Sequence, residues 1–439
     1  MDQKQPDLTI PSAGYRPAAA APDIDAFLAR HTQEFIRIRR RLHQLAELST
    51  LEYETGRYLC ALLSDWEIPY EYPVADTGLI ATIQGRQPQG SDPASAIQPS
   101  EAALTSSRPC KTIALRADMD ALPIFEDERC PFHSSNPGVM HACGHDAHMT
   151  IALGAARYFK QMEASFCGCI RIFFQPAEET IGGAARMIAE GCMAQPPVDY
   201  CIGLHMAPYL ETGTIETRYG KLYAASDEVS IVLHGKSSHG AYPESGVDAI
   251  VMASALISAL QTIASRSVSP LDQYVLTLGT VRGGSAHNII ADSVELTGAL
   301  RTTAPATRAR VKELIRRQVQ GIAESFGGAG LVTFSPGYDA LINNSALVDQ
   351  LREVAIPILG KEHVLWKEAP GMGVEDFSFF LDKAPGVFYH LGCGNAKKGQ
   401  TAPLHSREFS LDENSLALGI RLQTALALSL LAAPSITFV

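Results

Sequence analysis

Short, unbroken apolar runs alternate along this chain with segments of helical period. Thr112–Arg116, Cys169–Phe174 and Tyr200–Leu204 are such runs. A strand buried on one face only would alternate apolar and polar residues, whereas continuous runs suit strands covered on both faces. Segments 149–161 and 184–190 between them carry helical spacing. This alternation predicts an α/β domain with helices on both faces of its sheet. Segment 77–84 adds a strand ahead of them, and 23–65 reads as two helices broken near Ser49. A helix over 347–359, a strand over 387–392 and a final helix over 414–431 complete the domain.

The stretch from 220 to 336 follows another rule. Strand 229–233, helix 247–265, strands 274–281 and 293–302, helix 307–326 and strand 331–334 give the order β-α-β-β-α-β. That order predicts a ferredoxin-like domain with a four-stranded sheet, inserted into the first. The expected division is a loose leader over 1–22, catalytic parts over 23–219 and 337–439, and the insertion over 220–336. Segment 85–110, rich in Ser, Pro, Gln and Ala, reads as a surface excursion between strands.

Composition removes several classes of function. The net charge is −11, so the chain repels phosphate backbones and no nucleic-acid partner is expected. The one dense basic run, Arg37 to Arg41, reads as a helix face. No run of 18 apolar residues occurs, so no membrane span is expected, and the leader lacks a signal pattern, which points to the cytoplasm. The 9 cysteines are scattered and odd in number. Most are expected to be reduced, buried and structural.

Four segments carry chemistry. In Met140–His148, Cys143 and His145 lie two residues apart just before a helix and can present a thiolate and an imidazole to one metal ion. The same segment is also compatible with a helix cap at Asp146 and ordinary surface histidines. Glu178 and Glu179 follow the apolar strand 170–174. Adjacent side chains diverge, so one carboxylate can ligate while the other faces a water. His205 ends another apolar run, and His405 lies in a loop ahead of the last helix. Either alone reads as structural; the convergence of all these positions near strand ends of one sheet argues for two ions such as Zn²⁺ or Mn²⁺. Asp118 and Asp120 end a further strand, as orienting carboxylates or as turn caps.

The segments RADMDALPI, MHACGHDAHM, FFQPAEE, GLHMAP, SSHGAYPESGVDAI, NIIADSVELTGALR, GVEDFSFF and PLHS run in order along nearly the whole chain. In these the chain resembles the metal-dependent aminoacylase/carboxypeptidase family. Within it the chain is similar to the amidohydrolase branch of hippurate hydrolases, N-acyl-amino-acid amidohydrolases and auxin–amino-acid conjugate hydrolases. The resemblance implies a catalytic α/β domain with an inserted ferredoxin-like lid or dimerisation domain. It implies two divalent ions per subunit held by Cys143, His145, Glu179, His205 and His405, with Glu178 as general acid and base. It also implies that His239 reaches across a homodimer to polarise the scissile carbonyl, and that Asn288 and Arg301 hold the substrate's carboxylate. Ala291 and Arg407 stand where relatives commonly have Pro; Arg407, beside His405 and Ser406, adds charge next to an implied ligand.

The expected activity is hydrolysis of N-acyl amino acids by a metal-activated water. A dipeptidase or carboxypeptidase would use the same groups. A thiol hydrolase built on Cys143 with His145 or His141 would leave Glu179, His205 and His405 idle. A metal-free binding protein on the same scaffold would be expected to lack Glu178 or a ligand, and none is missing.

Overall fold

The computed structural model describes residues 23–86 and 110–433. The leader and all but the ends of the 85–110 excursion lie outside them. The fold is mixed α/β, organised on an 8-stranded sheet. Its strand order is Tyr70–Val74, Gly78–Gln84, Cys169–Gln175, Thr112–Asp118, Tyr200–Glu211, Gly386–Gly394, Ile215–Thr217 and Val364–Trp366. The central strands Cys169–Gln175, Thr112–Asp118, Tyr200–Glu211 and Gly386–Gly394 are parallel, while Gly78–Gln84 pairs antiparallel with its neighbours on either side.

The continuous apolar runs are explained by what covers the sheet. On Cys169–Gln175, Ile170, Ile172 and Phe174 join the core under helices Ile24–Leu45, His145–Gln161 and Asn414–Ala432. Phe173, pointing the other way, joins a second core with Ala184, Met187, Phe377 and Phe380 from helices Gly183–Ala189 and Ser378–Leu381 and the residues beside them. Thr112–Asp118 splits likewise, with Ile113 and Leu115 on one side and Ala114 on the other.

Residues 225–336 form a separate 4-stranded antiparallel sheet in the order Ala329–Pro336, Ala225–His234, Ser293–Thr302, Tyr274–Gly283. Helices Ala249–Arg266 and Pro305–Ser325 cover one face, enclosing Val229, Ile231, Leu256, Leu296, Ile315 and Val319. Asp248 starts the first helix by accepting from the amides of Ile250 and Val251. Helices Ala249–Arg266 and Asn414–Ala432 are long and apolar enough to cross a membrane by composition alone. The latter is a core helix, with Leu416, Ile420, Leu426 and Leu430 buried, and the former packs Met252, Leu256, Leu260 and Ile263 onto its sheet.

Cys110 and Cys167 depart from the expectation of reduced thiols and form a disulfide, their Cα atoms 6.0 Å apart. They precede the register partners Thr112 and Cys169 on adjacent strands, which brings them together. The other 7 cysteines are free.

Candidate metal centre

Parallel strands of an α/β sheet deliver their carboxyl ends to one edge, and the candidate site is built there. Thr112–Asp118 ends at Asp118, and Cys169–Gln175 leads into Glu178 and Glu179. His205 lies within Tyr200–Glu211, which continues past the apolar run as a longer strand than the sequence suggests. Gly144 takes a left-handed conformation (φ +83°) that turns the chain from Cys143 directly into helix His145–Gln161. His405 also has positive φ (+61°), an unusual backbone state for a side chain of its size, and its amide is anchored on the carbonyl of Ala142.

The side chains of Cys143, His145, Glu179, His205 and His405 meet. Cys143 Sγ lies 3.3 Å from both His205 Nε2 and His405 Nε2. Glu179 Oε1 lies 3.5 Å from His405 Nε2 and 3.9 Å from His145 Nε2. Potential ligand atoms of Cys143, His145 and His205 lie within 4.8 Å of one another, as do those of Cys143, Glu179 and His405. His145 Nδ1 donates to the carbonyl of Asp120 (2.8 Å) and His205 Nδ1 to that of Met206 (2.9 Å), so each turns Nε2 inward. His145 Nε2 and Glu179 Oε1 are buried without a hydrogen-bond partner among the described residues. Orphaned inward lone pairs beside a thiol fit a soft-to-borderline divalent ion, and the set fits a pair of them.

Two buried aspartates shape this cradle. Asp120 accepts from the amides of both Glu178 and Glu179 (3.0 Å each) and from Ser49 Oγ (2.6 Å). It therefore sets the backbone from which both glutamates project. Asp118 accepts from His148 Nδ1 and Arg116 Nη1 at 2.5 Å each, with His145 Nε2 at 3.6 Å. His148 Nε2 accepts from the amide of Met206 beside His205 (2.9 Å).

The neighbouring carboxyls are driven apart electrostatically. Burial, reinforced by the carboxylates of Glu375, Asp376 and Glu179, pushes Glu178 well above its ordinary value. Burial pushes Glu179 the same way, but the imidazoles of His405 and His145 outweigh it and hold Glu179 at about 2. One group is thus suited to holding a proton and the other to remaining a ligand. Burial, with the charges of Glu179 and Glu178, pushes the Cys143 thiol well above its ordinary value. A bare Cys143 is therefore a poor nucleophile, which disfavours the thiol hydrolase, whereas a divalent ion beside it would favour the thiolate.

His239, Asn288 and Arg301 stand apart from this cluster. His239 and Asn288 are exposed. His239 Nδ1 accepts from the amide of Ala241, and the Asn288 carbonyl accepts from the amide of Gly240, so both belong to one local turn. Arg301, half-buried on strand Ser293–Thr302, has an Nη1 without a partner among the described residues. Sequence reasoning missed Arg116, Glu375 and Asp376, which form a buried ion cluster under Glu178 with contacts of 2.8 to 2.9 Å. It also missed Tyr338, whose hydroxyl donates to the carbonyl of Glu178 (2.5 Å). Arg116 carried a readable signal, a charge inside an otherwise apolar strand; Tyr338 carried none.

Comparison with known proteins points the same way. A model of peptidase family M20/M25/M40 matches residues 114–429. The N-acetyldiaminopimelate deacetylase of Bacillus subtilis is 37% identical over 393 residues, covering 89% of this chain and 97% of that protein. Thermostable carboxypeptidase 1 of Saccharolobus solfataricus is 36% identical over 400 residues, covering 90% of this chain and 94% of that protein. A crystal structure of a Bacillus subtilis dinuclear metal binding peptidase of the M20 family superimposes with a TM-score of 0.77 at 31% identity, covering 94% of this chain and 100% of that one.

Proposed function

The chain belongs to peptidase family M20/M25/M40, and on that premise we propose that it cleaves the amide bond of N-acyl amino acids. The reading rests above all on the convergence of Cys143, His145, Glu179, His205 and His405, donors far apart in the chain, with the carboxyl of Glu178 next in sequence to Glu179. Held by Cys143, His145, Glu179, His205 and His405, paired Mn²⁺ or Zn²⁺ ions would supply Lewis acidity and lower the pKa of a water toward neutrality. With paired cations nearby favouring its ionised form, Glu178 would take the proton of the attacking water and return it to the leaving nitrogen. The Arg116, Glu375 and Asp376 cluster and the hydroxyl of Tyr338 keep its backbone and charge environment fixed.

The 225–336 unit acts in this reading as a ferredoxin-like lid and dimerisation domain. Its His239 serves the site of a second copy and polarises the scissile carbonyl, a role its exposure would allow. The guanidinium of Arg301, one of whose nitrogens has no partner among the described residues, grips the substrate's carboxylate with Asn288. The deacetylase relative supports an acyl substrate. The carboxypeptidase relative supports a second reading, in which the acyl side is itself an amino acid. Seven free cysteines favour a reducing, cytoplasmic location, and the Cys110–Cys167 disulfide counts against it.

Turnover of acetyl-, benzoyl- and indole-acetyl-amino acids and of dipeptides, side by side on Mn²⁺- or Zn²⁺-reconstituted protein, tests this. N-acyl amino acids should be preferred, and Glu178→Gln should lower kcat by ~10²–10⁴-fold at equal metal content. Parental turnover by that variant removes the mechanism; preference for free α-amino substrates replaces the first reading with the second.

A further inference from the structure

A second cluster of metal-ligating groups lies on the far side of helix start His145–Asp146. We propose that His43, Glu126 and Cys130 form a third divalent-cation site, separate from the paired centre, suited to Zn²⁺. Potential ligand atoms of the three lie within 4.8 Å of one another. His43 Nε2 meets Glu126 Oε1 at 2.7 Å, while its Nδ1 meets Asp146 Oδ2 at 2.7 Å. Both imidazole nitrogens face carboxylates here, so an ion at Nε2 would displace the proton shared with Glu126, while Asp146 on Nδ1 is the kind of carboxylate that orients a metal-bound histidine and raises its basicity. Glu126 is itself fixed through its other oxygen, which accepts from the amide of Ser134 (2.7 Å).

Charge and space agree. Asp146 and Glu126 bring two carboxylates to the group, with Arg39 on Asp146 (2.8 Å), and a divalent ion would take the place of the proton that His43 shares with Glu126. The cluster opens on a cavity of about 750 Å³ whose rim carries Arg39, Arg40, Arg129, Lys398 and Arg407 as well as Asp127, Glu408, Asp412 and Glu413. The three protein donors thus face open space for a fourth ligand, with cations beside it that suit an anionic one. Soft thiolate, imidazole and carboxylate together favour zinc over magnesium or calcium. The ion would tie helix Ile24–Leu45, which carries His43, and the Glu126–Cys130 loop to the first turn of the helix that carries His145. The site is independent of the catalytic reading, since none of its three donors belongs to the paired centre.

Equilibrium dialysis against Zn²⁺, with metal analysis, should give one equivalent more per chain for the parent than for Cys130→Ala. A Cys143→Ala background, which perturbs only the paired centre, should show the same one-equivalent difference. In the parent, saturating Zn²⁺ should slow alkylation of Cys130 by iodoacetamide, mapped by mass spectrometry, at least tenfold; this readout needs no variant to fold. Equal zinc content with and without Cys130, or an unchanged Cys130 alkylation rate, overturns the site. Loss of zinc from the paired centre alone would instead leave the Cys130-dependent equivalent in place.

Discussion

Asp120 holds the amides of Glu178 and Glu179 at once. Asp120→Ala frees both amides and lets Glu178 and Glu179 move together. The variant should fold, lose ~10-fold or more in metal affinity, as second-shell changes do, and lose activity at low metal before it does at saturating metal. Metal-dependent activity curves check this; superimposable curves would make Asp120 a bystander. A second residue tests the electrostatics away from the centre. Burial favours protonation of Glu216, but hydrogen bonds from His390, Lys367 and Tyr209 outweigh it and hold its carboxyl at about 2. A depressed folded value means the unfolded chain takes up the proton first as pH falls. The stabilisation is complete above the ordinary value near ~4.3 and disappears as pH drops toward the folded one. Glu216→Gln should therefore flatten the acid limb of the melting temperature between about pH 5 and 3. At this scale the meeting of Cys143, His145, Glu179, His205 and His405 was legible because all five lie near strand ends of one sheet, although each alone reads as structural. The role of Arg116 was not, although its charge inside an apolar strand was a signal, because its partners Glu375 and Asp376 lie up to 260 residues away.

Helix His145–Gln161 reaches the site only because it lies tightly against the C-terminal helix. The contact is reciprocal: a Cβ on Gly154 would stand 2.3 Å from Ile420 Cδ1, and one on Gly419 would stand 2.5 Å from Ile151 Cδ1. Gly154→Ala gains helix propensity of ~1 kcal/mol but overpacks the crossing by ~1–3 kcal/mol, so net stability should fall. Adding Ile420→Val should return part of the loss, a coupling read from a double-mutant cycle in urea; strictly additive effects would contradict the close approach. Most elements were legible here as well, because helical period and unbroken apolar runs mark packed helices and a sheet covered on both faces. Ile215–Thr217 and Val364–Trp366 were not, being 3 residues each and too short to show a period. Tyr70–Val74 was missed because it is an edge strand, largely exposed and carrying Pro73.

The four-stranded sheet leaves Tyr274–Gly283 as an outer strand, with Val275 and Val281 exposed at 43% and 58%, and Ile250 and Val251 exposed on the neighbouring helix. An unprotected apolar edge is a template for pairing, and a second copy would cover it. The chain should be a dimer by light scattering. Val281→Lys should split it and reduce turnover together with association, since His239 would lose the site it serves; a fully active monomer would remove both roles. The order of elements made the two-sheet division legible, but nothing in the pattern could place one copy against another. The account as a whole depends on the five convergent donors. Anomalous X-ray scattering from crystals loaded with Mn²⁺ locates the ions directly. The predicted result is two peaks enclosed by Cys143, His145, Glu179, His205 and His405 beside a free Glu178 carboxyl. Absence of any peak among those side chains at saturating metal would contradict it.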